Sequence, residues 1–177
     1  MPITEPWSKK HKKLTKAGAG GLRYSLSNSF AQPITCQELR KLTAERGDED
    51  LLKDYMNHDL YYTPNGGSRD LREEIAKLYG PGIGPENILV FPGCQAALSA
   101  AAFALCASDS HAIVFNPAYQ STAETPIHAG CQVTVLPLSP KNGWQIDLST
   151  VQAAVRENTK YIIINMPYNP AGTLMSH

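Results

Sequence analysis

The sequence predicts an α/β fold built on a mainly parallel sheet, and three observations carry that prediction. From residue 88 onward, short apolar runs alternate with helix-patterned segments, the rhythm of strands joined by crossover helices. The runs are apolar throughout rather than alternating, as in strands covered on both faces. Cys94–Cys106 is rich in alanine and carries no charge, so it reads as a buried helix whose small side chains let it sit close to a sheet.

The elements follow in order. Ala17-Gly18-Ala19-Gly20-Gly21 is a flexible joint, and ordered chain is expected from about Leu22. From Thr35 to Met56, Leu39, Leu42, Leu51, Leu52 and Tyr55 recur at helical intervals; Thr35 and Glu38 have the spacing of a capping box, and Gly47 divides the stretch into two helices. Ser68 caps a further helix to about Tyr79, with Leu71, Ile75 and Leu78 on one face. Ile88–Phe91, Ala112–Phe115, Gln132–Leu136 and Tyr161–Ile164 are the expected strands, with helical segments at Cys94–Cys106, Ser121–Ala129 and Leu148–Glu157 between them.

Composition narrows the function classes. The 177 residues are 42% hydrophobic and 18% charged, which suits a globular chain able to bury a core. No apolar run approaches the roughly 18 residues of a membrane span, and no short apolar core follows the basic head as in a signal peptide. Cys36, Cys94, Cys106 and Cys131 are widely spaced and form no Cys-x-x-Cys pair, which disfavours a zinc site and a disulfide framework and fits a reducing cytoplasm. The zero net charge hides a head, residues 1–16, that carries +4 from five lysines and Glu5. With no aromatic residues among Lys9-Lys10-His11-Lys12-Lys13, that head reads as a solvated, disordered arm rather than a nucleic-acid or membrane contact.

Three turns carry candidate chemistry. Phe91-Pro92-Gly93-Cys94-Gln95 puts one glycine between a strand and a helix, so outward-facing amides and the positive end of the helix dipole suit a phosphate. Any strand-to-helix junction favours glycine, and the Gly-x-Gly-x-x-Gly of a dinucleotide site is missing. Asn116-Pro117-Ala118-Tyr119 presents an aromatic ring where ligands of open α/β sheets bind, although an edge tyrosine can also simply pack on its neighbours. Asn165-Met166-Pro167-Tyr168-Asn169-Pro170-Ala171-Gly172 ends the last apolar run in two rigid prolines and a permissive glycine, which fixes the orientation of Asn169.

Together these turns resemble the aminotransferase class I/II superfamily of fold-type-I pyridoxal-phosphate (PLP) enzymes: Gly-x-x-x-Ala-Leu at 93–98, Pro-x-Tyr at 117–119, Asn-x-Pro-x-Asn-Pro-x-Gly at 165–172. Tyr62-Thr63-Pro64-Asn65-Gly66-Gly67 with Leu71-Arg72 adds the family's Tyr-x-Pro-x-x-Gly segment. The resemblance implies an incomplete, aspartate-aminotransferase-like large domain over 61–177, a small-domain or arm segment over 22–60, and the basic head and joint over 1–21. It implies PLP as cofactor, with Gly93, Cys94 and Gln95 around its phosphate, Tyr119 stacked on its ring, Asn169 at its 3′-oxygen, and Tyr62 reaching a partner subunit's phosphate in a homodimer. Arg72 is expected in a surface ion pair or dimer contact.

The implied reaction is amino transfer between an amino acid and a 2-oxo acid. Ala118-Tyr119-Gln120-Ser121 also resembles capreomycidine-synthase-like enzymes, so a cyclase or lyase is the alternative, and a non-catalytic product is a third reading. Lys141 and Lys160 do not stand in the family's Ser-x-x-Lys context, so no catalytic residue is assigned and the chain alone is expected to be inactive, with exposed sheet edges beside Ile88–Phe91. Residues 1–34 are too short for a winged-helix module, which disfavours an aminotransferase-like transcription regulator.

Overall fold

A computed structural model describes residues 31–175, so the lysine-rich head and the glycine joint lie outside the described residues. The chain divides into two compact units between Tyr61 and Tyr62.

The first unit holds α1 (Cys36–Arg46) and α2 (Glu49–Asn57). The capping box forms: the Glu38 amide donates to Thr35 Oγ1 at 3.1 Å and the Thr35 amide to Glu38 Oε2 at 2.7 Å. Gly47 ends α1 at φ 73°, a left-handed cap that glycine reaches without strain.

The second unit holds α3 (Arg69–Ala76), α4 (Cys94–Leu105), β1 (His111–Asn116), α5 (Gln120–His128), β2 (Gln132–Pro137), α6 (Leu148–Ala154) and β3 (Thr159–Ile162). The sheet has the order β2-β1-β3 and is parallel throughout, as the sequence predicts. Central β1 is buried from His111 to Phe115, whereas β3 alternates in burial as a strand with one covered face does. The core gathers Ile113, Phe115, Leu136, Leu138 and Tyr168, with Trp144, Ile146, Val151 and Ala154 packed against it.

His111 ties the three strands together at their amino ends. It is fully buried, its Nδ1 lies 2.8 Å from Thr159 Oγ1 on β3, and its Nε2 lies 2.8 Å from Thr134 Oγ1 on β2. Both hydroxyls also accept from Arg156, one from its backbone and one from its guanidinium. Burial first, and the nearby Arg156 charge second, hold the imidazole below its ordinary pKa and favour its neutral form.

Several expectations need correction. Ile88–Phe91 is extended but is no strand: the Val90 amide bonds the Gly66 carbonyl at 2.9 Å, and no neighbouring strand among the described residues supplies a ladder. The helices from Ser68 and Leu148 end at Ala76 and Ala154, short of Tyr79 and Glu157. In α4 only Ala102 is fully buried, and Phe103 and Leu105 are exposed; the helix packs by one face despite lacking a polar one. Arg72 forms no ion pair among the described residues; it is half-buried and donates to the Pro85 carbonyl at 3.0 Å, pinning α3 to the 3₁₀ turn at Pro85–Asn87.

Candidate active site at the carboxyl ends of the strands

Parallel pairing puts the segments that follow β1 and β3 on the same side of the sheet. Asn116-Pro117-Ala118-Tyr119 leaves β1 there, and Met166–Gly172 follows β3. Tyr168 joins them: its ring lies in the core at 2% exposure, and its hydroxyl donates to the Pro117 carbonyl at 2.7 Å. Burial pushes the Tyr168 phenol above its ordinary pKa, which keeps the donating proton in place. The turn around Asn169 is closed by the Tyr168 amide on the Thr173 carbonyl at 2.8 Å, with Gly172 at φ 71°. Ala118 and Ala171 pack on the same core, so both turns have apolar footings. Asn169 itself is exposed, as a ligand contact at a turn must be.

The third turn joins through Gln95, whose Nε2 donates to Tyr119 Oη at 2.8 Å. The Tyr119 ring is 44% exposed, so one part of it remains open to a ligand. Gly93 precedes α4 at φ 94°, ψ 149°, a region essentially reserved for glycine. Nothing lies within 4 Å of where a Cβ would stand on it, so the space at the helix start is an open cradle. The Gly93 carbonyl accepts from Ala96 and Ala97, while the amides of Cys94 and Gln95 have no acceptor among the described residues. An uncharged helix start with two unused amides, a glycine cradle, an aromatic face and a carboxamide is a donor set that fits PLP's phosphate, ring and ring oxygen.

The loop carrying Tyr62 is fixed next to this helix start. Gly66 and Gly67 sit at φ 82° and 98°, and a Cβ on Gly67 would come within 2.7 Å of the Val90 side chain. That close approach anchors the loop three residues ahead of Gly93. Tyr62 lies outside the Gln95–Tyr119 and Tyr168–Pro117 bonds that gather the other candidates. The His111, Gln95 side-chain and Tyr168 roles escaped sequence reading; the one available signal was a tyrosine between the prolines of a rigid turn. Among the described residues no group of three or more metal-ligating side chains occurs, and no helix is long and apolar enough to cross a membrane.

Comparison with known proteins shows the family. The family model for aminotransferase class I and II matches residues 27–177, and the chain belongs to that family, whose members depend on PLP. It is 33% identical over 121 residues to a probable N-succinyldiaminopimelate aminotransferase of Mycobacterium tuberculosis, covering 65% of this chain and 30% of that one. It is 31% identical over 147 residues to capreomycidine synthase of Streptomyces vinaceus, covering 83% and 37%. A solved PLP-dependent aminotransferase from Streptococcus suis superposes with a TM-score of 0.84 at 27% identity, over 99% of this chain and 46% of that one. The chain thus spans about a third of the length of the curated relatives it matches.

Proposed function

We propose that these 177 residues are the N-terminal portion of a PLP-dependent aminotransferase that moves an amino group between an amino acid and a 2-oxo acid. The observation that carries the reading is the gathering of a helix start, an aromatic ring and a carboxamide at one end of the sheet by the Gln95–Tyr119 and Tyr168–Pro117 bonds. The amides following Gly93 would hold the cofactor phosphate, Tyr119 would cover one ring face, and Asn169 would donate to the ring oxygen. When bound, PLP supplies an electron sink for bonds at the amino acid's α-carbon. The chain's residues bind and orient that group and bias the protonation of its ring oxygen.

Tyr62 is proposed to contact the phosphate of a partner subunit, so the working form would be a homodimer; a cytoplasmic location and the lack of nucleic-acid or membrane partners are part of the same proposal. The lysine that anchors the cofactor is not assigned in this chain. Lys160 lies at the amino end of β3, and Lys141 lies in the 3₁₀ turn Pro140–Asn142. Treating the 177-residue chain with PLP and borohydride is expected to label no lysine stoichiometrically; full labelling of Lys141 or Lys160 would contradict this.

The capreomycidine synthase match covers more of the chain than the first curated match does, and it favours one alternative, a cyclising or eliminating PLP enzyme. The experiment that separates the two uses the complete protein. A panel of amino acids should convert the bound cofactor stoichiometrically to pyridoxamine phosphate, and a 2-oxo acid should restore it. Turnover of an amino acid without that conversion would replace the aminotransferase reading with the alternative.

A further inference from the structure

The two hydrogen bonds that gather the site come from side chains with no assigned contact of their own to the reacting groups. Tyr168 is bracketed by function: its neighbour Asn169 faces solvent, while its own ring is buried with Ile113, Phe115, Leu136 and Leu138. Packing alone would be satisfied by phenylalanine. The hydroxyl instead reaches across 51 residues of sequence to the Pro117 carbonyl, two residues before Tyr119. Gln95 acts from the other side on Tyr119 Oη, through a carboxamide that is exposed and free of packing constraint. A stacked ring can slide or tilt about its side-chain torsions unless its far end is held, and a turn can rotate unless its carbonyl is held.

We propose that Tyr168 and Gln95 are positioning residues that lock Tyr119 and Asn169 into one fixed relation, so that the ring-face contact and the ring-oxygen contact to PLP are set together. This rests on the proposed PLP site. It gives the Gln95 side chain to Tyr119 and leaves the phosphate to the Gln95 backbone amide. The two contacts should then be energetically coupled, because an independent pair would lose its contributions additively.

The test is a double-mutant cycle on the complete protein, read by the dissociation constant for PLP from fluorescence quenching and by absorbance titration of the bound cofactor. Tyr168→Phe is expected to weaken PLP binding about tenfold with the ring still packed. In that background Tyr119→Ala should cost several-fold less than in the unaltered protein, because the ring's placement is already lost. Gln95→Met, which cannot alter the core, should reproduce the coupling to Tyr119. Strictly additive losses, or Tyr168→Phe and Gln95→Met proteins that bind PLP as the unaltered protein does, would overturn the inference while leaving the site reading intact. An unaltered protein that binds no PLP would overturn both.

Discussion

Asn169 and His111 show how far a single residue's surroundings set its role. If Asn169 donates to the deprotonated ring oxygen of bound PLP, Asn169→Ala removes a hydrogen bond that favours the charged form. A bond to a charged group is worth about 1.5–3 kcal/mol, so the apparent pKa of the bound chromophore should rise by about one to two units in an absorbance titration. An unchanged midpoint would leave Asn169 as a turn residue. His111 predicts a pH effect on stability with a definite sign. Its folded pKa lies below the ordinary value, so on acidification the unfolded chain takes up the proton first and stability falls with pH below about 6.5. One such group contributes at most about 1.4 kcal/mol per pH unit to that slope. Urea midpoints of the His111→Gln protein should be lower throughout but flatter between about pH 5.5 and 7.5 (one unit either side of the free imidazole value); an identical slope would rule out His111 as the titrating group. Asn169 was legible in the sequence because prolines and glycine frame it. His111 was not, because its hydroxyl partners come from two other strands and no local pattern announces them.

Among elements, turns and caps that depend on neighbours in sequence were the most legible. Thr35 with Glu38, Gly47 and Ser68 each specify a helix boundary within a few residues, and each forms. Ile88–Phe91 was misread because an apolar run states only that a segment can be a strand; whether it becomes one depends on a partner for its amides. The two loop glycines give contrasting predictions. Gly67→Ala places a methyl 2.7 Å from Val90 and also demands φ 98°, so it should destabilise the protein by more than about 2 kcal/mol, and Val90→Ala should recover only a fraction of that because the Cβ it keeps is itself 2.7 Å from the methyl. Gly93→Ala meets open space, so urea denaturation should show only the backbone cost of about 1–3 kcal/mol. Its methyl would enter the cradle, and PLP affinity should fall by more than that stability loss accounts for. A Gly93→Ala protein with undiminished PLP affinity would place the phosphate elsewhere.

At the scale of the whole molecule, the family was legible because four motifs stand in order across residues 62–172, each weak alone. The surface was less so: Leu89, Phe91, Phe103 and Leu105 are exposed although composition alone would bury them. Exposed large apolar side chains in that number favour association, so the 177-residue chain by itself should self-associate in light scattering, and a monodisperse monomer would contradict that. For the complete protein the Tyr62 proposal predicts complementation between subunits. Mixing a Tyr62→Phe protein with a variant lacking the anchoring lysine should restore activity, since a heterodimer has one site built from intact parts; heterodimers without recovered activity would count against it. The most direct measurement of the central claim is the crystal structure of the complete protein with PLP bound. The phosphate is expected on the Cys94 and Gln95 amides, the ring against Tyr119 and the ring oxygen within hydrogen-bond distance of the Asn169 carboxamide. A cofactor bound away from the carboxyl ends of β1 and β3, or with Tyr119 and Asn169 out of contact, would contradict it.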